Sequence, residues 1–171
     1  SQRVIRDPAA VQAVLERTAR NCSEAGTVLY SFAHTPDLRE CHPLRPIKLT
    51  GHAAGHAMGF IREPFNQEFR FDPRIESKID VDISLQVLFK RRYFWADTRF
   101  AFEVQPFLKT HGGSAGIRTS DTEKKDLEVL RQKYGEVVKV SHFDTGLHKG
   151  RKIHIRIKVD RSAHTTTLGL Y

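Results

Sequence analysis

The chain has 171 residues, of which 39% are hydrophobic, and its 28 lysines and arginines exceed its 20 aspartates and glutamates, for a net charge of +8. This composition excludes a disordered, tail-like protein, and the length suits one domain better than two. The positive charge favours a polyanionic partner such as RNA, or docking within a ribonucleoprotein.

Cysteine content and hydropathy narrow the cellular setting. The two cysteines, Cys22 and Cys41, do not make a disulfide framework, which favours a reducing intracellular compartment, either the cytosol or an organelle matrix. No apolar run approaches the roughly 20 residues of a membrane span, so we expect no transmembrane segment. A targeting peptide that has already been removed would account for a chain that begins at Ser1 instead of methionine.

The N-terminal part is predicted to hold one helix and one strand. Asp7 is a favourable N-cap and Pro8 suits the first helical position. Apolar residues then follow at helical spacing to Asn21, where we expect the helix to end. A short strand is predicted over 27–32, and a proline-containing loop over 34–46.

Segment 48–61, KLTGHAAGHAMGFI, has two interpretations. A helix would form a groove of glycines and place His52 and His56 on one face, whereas a strand would line one side with small residues. Each glycine costs a helix about 1 kcal/mol relative to alanine, so we favour the strand. Residues 62–75, which contain two prolines, are predicted to form a loop or an edge segment.

Residues 79–109 are predicted to form a central antiparallel hairpin. Apolar residues at every second position from 79 to 89 indicate one strand, and a second alternating series ends before Pro106. We expect the turn at 90–92, with a turn at 96–98 as the alternative. The aromatic residues of this stretch, including Phe100 and Phe102, place the centre of the core here.

The C-terminal part is predicted to hold a helix and a second hairpin. A glycine-rich linker, 111–119, precedes a helix from Ser120 to Tyr134 that opens with a capping box of Ser120 and Glu123. One strand follows at Val138, residues 144–150 turn, and the last strand covers 153–159. The chain as a whole is therefore predicted to be a single α+β domain, 1–171, with a mainly antiparallel sheet of about five or six strands and two helices.

The last strand carries the most specific functional pattern, because basic residues alternate there with apolar ones. Alternate residues of a strand lie about 6.6 Å apart, close to the spacing of phosphates along a single nucleic-acid strand. Basic residues on an exposed strand also deter edge-to-edge aggregation, which is an equally good explanation. The residues predicted to bind nucleic acid are Lys149, Arg151, Lys152, His154, Arg156, Lys158, Arg91 and Arg92.

A non-catalytic basic protein that contacts RNA or docks in a ribonucleoprotein is the favoured function, with protein partners in a larger complex and with no catalytic residue, metal ligand or cofactor assigned. The first alternative is an accessory structural subunit of a large protein assembly, such as one in an organelle, without RNA contact. The second is an enzyme or metal site that uses the histidine-rich segment 41–56. That segment lacks both the glutamate of a zinc-hydrolase helix and paired cysteines, which makes a zinc site the weaker explanation.

Overall fold

Four α-helices and six strands make up the part of the chain that the computed structural model describes, namely residues 4–102, 119–143 and 152–157. The predicted α+β class is confirmed, but the expected number of helices, two, is wrong for these residues. In chain order the elements are α1 (Pro8–Glu24), β1 (Leu29–Ala33), β2 (Ile47–Lys48), β3 (Met58–Phe60), α2 (Arg62–Glu68), α3 (Ile79–Arg91), β4 (Trp95–Ala101), α4 (Ser120–Tyr134), β5 (Val138–Phe143) and β6 (Lys152–Ile157).

The strands form two sheets instead of one mainly antiparallel sheet. The larger sheet has the order β2-β4-β1-β3, and β5 and β6 form a separate antiparallel pair. Within the larger sheet β1 and β4 run parallel, while β1–β3 and β2–β4 are antiparallel. The chain between β1 and β4 includes α2 and α3, as a connection between parallel strands requires.

Residues 79–91 form helix α3, so the predicted strand over 79–89 is wrong. Ile83 and Val87, four residues apart, pack in the core beneath the sheet. Val81 and Leu85, also four residues apart, pack in a second cluster with α4. Two rows at helical spacing that are offset by two residues produce an apparent period of two in the sequence. The alternation therefore reflects a helix that is buried on two sides.

The ends of α3 carry the charges that a helix favours. Asp80 and Asp82 lie in its first turn and Lys90 and Arg91 in its last, where they complement the helix dipole. Arg92 ends the helix with φ 70°, in the left-handed region. The predicted chain reversal at 90–92 thus follows a helix instead of joining two strands.

Residues 62–68 form α2, where we expected a loop or an edge segment. Pro64 lies in the first turn, where a backbone N–H has no partner within the helix, so its missing donor costs little. The Phe65 amide donates to the Ile61 carbonyl at 3.0 Å, and the Phe65 ring is buried against Phe60 and Phe69. Burial of these rings stabilises a helix that is too short to form alone.

The larger sheet is covered on both faces. Adjacent residues of β1 belong to opposite faces. Leu29 packs in the cluster that contains Ile83 of α3, whereas Tyr30 interacts with Cys22 of α1. Helix α1, with its predicted N-cap at Asp7 confirmed, therefore covers one face and α3 the other. It continues to Glu24, three residues beyond the predicted end at Asn21.

Strand β4 confirms the second predicted strand of the 79–109 stretch, but its neighbours are β1 and β2 and not residues 79–89. Phe100 and Phe102 near its end are half-buried, and Phe102 packs against Phe32 with ring centroids 5.2 Å apart. Within the described residues 79–102, the large apolar side chains that are fully buried lie on α3, apart from Phe94. The described part of the stretch therefore contributes to the core, but mainly through aliphatic side chains of α3 instead of the predicted aromatic ones.

Segment 48–61 is neither a helix nor a continuous strand. Only its two ends lie in strands, β2 and β3, and residues 49–57 form a loop between them. Two buried serines hold this loop in place of a strand partner: the Ala53 amide donates to Ser84 Oγ at 2.8 Å, and the Ala54 amide donates to Ser31 Oγ at 2.7 Å. Hydroxyl groups thus satisfy backbone donors that a sheet would otherwise pair.

Helix α4, predicted correctly over Ser120–Tyr134, packs on the side of α3 away from the sheet. Its N-cap is Thr119, which forms a capping box with Thr122, instead of the predicted box of Ser120 and Glu123. Apart from Thr119, the predicted linker 111–119 lies outside the described residues. Of the helices in the described ranges, none combines the length and the apolar composition needed to cross a bilayer.

Two buried carboxylates lock α4 to α3. Asp126 accepts hydrogen bonds from the amides of Glu76, Ser77 and Lys78 and from the Ser77 hydroxyl, at 2.6 to 3.0 Å. These amides belong to the segment that leads into α3. Buried polar groups with this many partners fix the relative position of two elements more sharply than apolar contact does.

The second carboxylate, Asp82, lies on α3 itself and is 1% exposed. Its Oδ1 accepts from Lys133 Nζ at 2.5 Å and from the Tyr134 hydroxyl at 2.7 Å. Burial, followed by this hydrogen bond, raises the pKa of Tyr134 well above its usual range. Lys133 also reaches Asp72, at 3.1 Å, so one lysine joins α4 both to α3 and to the loop before it.

Candidate nucleic-acid interface

The β5–β6 hairpin carries the residues that the sequence assigned most specifically to nucleic acid. The predicted second hairpin is confirmed, with Lys152, His154 and Arg156 at alternate positions of β6. Lys149, Arg151 and Lys158 lie outside the described residues, as does the predicted turn at 144–150.

The register of the hairpin adds three residues of β5 to the same face. Lys139 lies opposite Arg156, Ser141 opposite His154, and Phe143 opposite Lys152. Residues directly opposite each other in an antiparallel pair belong to the same face of the sheet. The face is therefore composed of the six residues Lys139, Ser141, Phe143, Lys152, His154 and Arg156, and we call it the basic face.

Val138 determines which side of the hairpin is turned towards the rest of the protein. It is 3% exposed and packs in the cluster of Val129 and Leu130 on α4. Val138 pairs with Ile157, and this pair alternates with Lys139 and Arg156 along the hairpin. Because alternate pairs belong to opposite faces, the basic face is on the side away from α4.

Lys139 and Arg156 occupy directly opposed positions in the register of the hairpin. Directly opposed residues have Cβ atoms about 4.5–5.5 Å apart, and like charges at this separation destabilise a strand pair. Lys139 and Phe143 were not predicted from the sequence, because their position opposite β6 depends on the register. The alternation of Val138 and Val140 on the strand was the only signal that could have placed Lys139 on the opposite face.

Arg91 and Arg92, the other two residues predicted to bind nucleic acid, lie at the end of α3 and not on the hairpin. Arg91 forms an ion pair and hydrogen bonds with Glu68, and both side chains are half-buried. Arg92 is exposed and caps the helix. Among the described residues, no recorded contact joins Arg91 or Arg92 to the hairpin. Arg91 is thus already neutralised by a carboxylate, and Arg92 has no described acidic partner.

The histidine-rich segment contributes to a different cluster, at the carboxyl end of β1. His34 follows this strand, and its Nε2 lies 2.9 Å from the His52 carbonyl, while the two rings lie 4.6 Å apart. Asp80, in the first turn of α3, packs so closely on Gly55 that a Cβ there would lie 2.7 Å from its Oδ2. The carboxyl ends of parallel strands are common places for ligand sites in α/β sheets.

Burial and neighbouring charges shift the pKa of two side chains in this cluster. A carbonyl can only accept, so His34 Nε2 donates its hydrogen to the His52 carbonyl. Burial, and then the charge of His34, lower the pKa of His56, with Asp80 opposing them. Burial also raises the pKa of Asp80. Neither His34 nor Asp80 was assigned from the sequence, since the two residues come together only through the fold.

The two cysteines lie in surroundings that disfavour the ionised thiol. Burial raises the pKa of Cys22 to about 12, and burial, followed by the charge of Asp97, raises the pKa of Cys41, which lies in segment 41–56. Within residues 4–102, 119–143 and 152–157, no group of three or more His, Cys, Asp or Glu is arranged to hold a metal ion. A hydrolytic site would also need a nucleophile or an activated water beside His34 and His56.

Comparison with protein-family models, with curated proteins and with solved structures finds no match to this chain.

Proposed function

We propose that this protein binds single-stranded RNA through the basic face of its C-terminal hairpin, and that it acts as a binding protein and not as an enzyme. The face combines cationic residues with one aromatic residue, Phe143. Proteins that bind single strands use this combination, since cations follow the phosphates and rings stack on the bases.

The observation that carries the proposal is the pairing of Lys139 with Arg156. Two cations held opposite each other repel, and the repulsion is relieved when an anion lies between them. Both strands of a two-stranded pair are edge strands, so protection of the edges could place cations on β5 as well as on β6. It gives no reason, however, for two cations at directly opposed positions, where they repel.

The spacing of the basic residues along β6 favours a ligand with several phosphates in a row over a single anion. Lys152, His154 and Arg156 recur every second residue, about 6.6 Å apart. The net charge of +8 on the chain adds long-range attraction for any polyanion. Docking of the same face on an acidic protein surface is the competing outcome that an experiment must separate.

The test compares two double variants that remove the same charge. Lys139→Gln with Arg156→Gln removes the opposed pair, and Lys124→Gln with Arg131→Gln removes two exposed cations of α4 as a matched control. Binding of an oligouridine of about 20 nucleotides is measured by fluorescence anisotropy over a range of salt. We expect the hairpin variant to weaken binding about tenfold and to flatten the log–log salt slope by about 1.4, since each phosphate contact contributes about 0.7.

Stability provides a second readout. Without RNA, the hairpin variant should unfold at the same temperature as the wild type or higher, because it loses a like-charge pair. Equal binding by the two double variants would overturn the proposal. The basic face would then belong to a protein interface.

A further inference from the structure

Two arginines lie over one aromatic ring on the α1 side of the larger sheet. Arg17 of α1 has its Cζ 5.5 Å from the centroid of Phe100, and Arg99 has its Cζ 5.7 Å from the same centroid. The negative face of an aromatic ring attracts a cation, and this attraction holds each guanidinium near the ring. Two positive groups are thereby gathered around Phe100.

Only one of the two arginines is neutralised within the described residues. Arg99 donates from Nε and Nη2 to Asp97, at 2.9 and 2.7 Å, and the Asp97 side chain is 1% exposed. These hydrogen bonds hold the Arg99 guanidinium in place, and Nη1 has no partner among the described residues. Arg17 is exposed, and no carboxylate among the described residues pairs with it.

The neighbours of Arg17 on α1 increase the positive potential. Arg20 lies three residues further along, on the same side of the helix, and is exposed. Glu16 is adjacent in sequence but does not face Arg17, and its carboxylate accepts from Gln12 at 2.7 Å. Glu24, four residues after Arg20, is the acidic residue best placed to offset part of this charge.

We propose that Arg17 and Arg99, held around Phe100, form a phosphate-binding site. A guanidinium that packs on a ring keeps its N–H groups directed outward in its own plane, where they match the oxygens of a phosphate bidentately. The phosphate belongs either to a nucleic-acid backbone or to a free phosphate compound. The site is separate from the hairpin and does not depend on the function proposed for the basic face.

The site is tested by NMR of the arginine Nε–Hε groups during titration with inorganic pyrophosphate. We expect saturable shifts of the Arg17 and Arg99 signals in the wild type. Arg17→Gln should weaken the response of Arg99 at least fivefold, and Phe100→Leu should weaken the response of both arginines. Arg131→Gln, which removes an exposed arginine of α4, should change neither. Arg99 itself is kept, because its loss would leave Asp97 buried and unpaired.

Absence of a saturable shift at Arg17, or equal weakening by Arg17→Gln and Arg131→Gln, would overturn the site. A second titration identifies the source of the phosphate. If an oligouridine shifts the same signals and competes with pyrophosphate, the source is a nucleic-acid backbone. If pyrophosphate alone shifts them, the source is a free phosphate compound. Either result is obtained whether or not the basic face binds RNA.

Discussion

At the scale of single residues, Asp126 shows how one buried carboxylate holds two helices together. Its side chain accepts from three consecutive backbone amides and one hydroxyl before α3, and the residue is 0% exposed. Replacement by alanine leaves these donors without a partner, and each buried donor that loses its acceptor costs about 1–3 kcal/mol.

We therefore expect Asp126→Ala to lower the free energy of unfolding by about 3 kcal/mol or more, measured by urea denaturation. Glu128→Ala is the control, since Glu128 is exposed on the same helix and such changes usually stay within about 0.5 kcal/mol. If the two variants lost similar stability, the anchoring role of Asp126 would be wrong.

His56 gives a prediction for pH. Burial and the charge of His34 lower its pKa from 6.5 in the folded protein, while Asp80 acts in the opposite direction. As the pH falls through about 6.5, the unfolded chain therefore takes up a proton more readily than the folded chain, and stability decreases.

In urea denaturation between about pH 8 and pH 5, His56→Gln should lose less stability on acidification than the wild type. Asp80, whose pKa is raised, works against this trend, because its folded form takes up a proton first as the pH falls. The charge of Lys78 also acts on Asp80, but Lys78 is present in both the wild type and the His56→Gln variant, so its effect cancels in the comparison. A His56→Gln profile that matched or exceeded the wild-type loss would show that His56 is not coupled to this cluster.

At the scale of elements, α3 is a helix where the sequence predicted a strand. A strand with the predicted alternation would bury Ile79 and expose Leu88, whereas α3 exposes 37% of Ile79 and none of Leu88. The two residues therefore distinguish a helix from a strand.

Leu88→Ala should reduce the free energy of unfolding by about 2–5 kcal/mol, because it leaves a cavity in the core beneath the sheet. Ile79→Ala should cost well under that amount, since much of its side chain is already in water. Thermal or urea unfolding of the Leu88→Ala and Ile79→Ala variants measures the two losses. A larger loss for Ile79→Ala than for Leu88→Ala would favour a strand.

Elements whose signals are local could be predicted from the sequence. Asp7 and Pro8 mark the start of α1, Gly135 ends α4, and alternation marks the C-terminal hairpin. The character of α3 depends instead on which neighbours cover it, and a helix buried on two sides loses the pattern of a single apolar face. The parallel pairing of β1 with β4 joins residues more than sixty positions apart, and no local signal records it.

At the scale of the whole molecule, positive charge is concentrated by contacts that the sequence does not reveal. The alternation of Lys152, His154 and Arg156 could be predicted, but the addition of Lys139 depends on the hairpin register. The grouping of Arg17 with Arg99 depends on α1 packing beside β4. The first places two cations at opposed positions of a strand pair and the second places two around one ring, and an anion would stabilise either arrangement.

The measurement that tests RNA binding by the basic face most directly is the salt dependence of single-strand binding by the wild-type protein. If Lys139, Lys152 and Arg156, which share the basic face, each supply one phosphate contact, the slope of log affinity against log salt should be about −2 or steeper for an oligouridine. A slope near zero, or no binding at low salt, would contradict a polyanion-binding function.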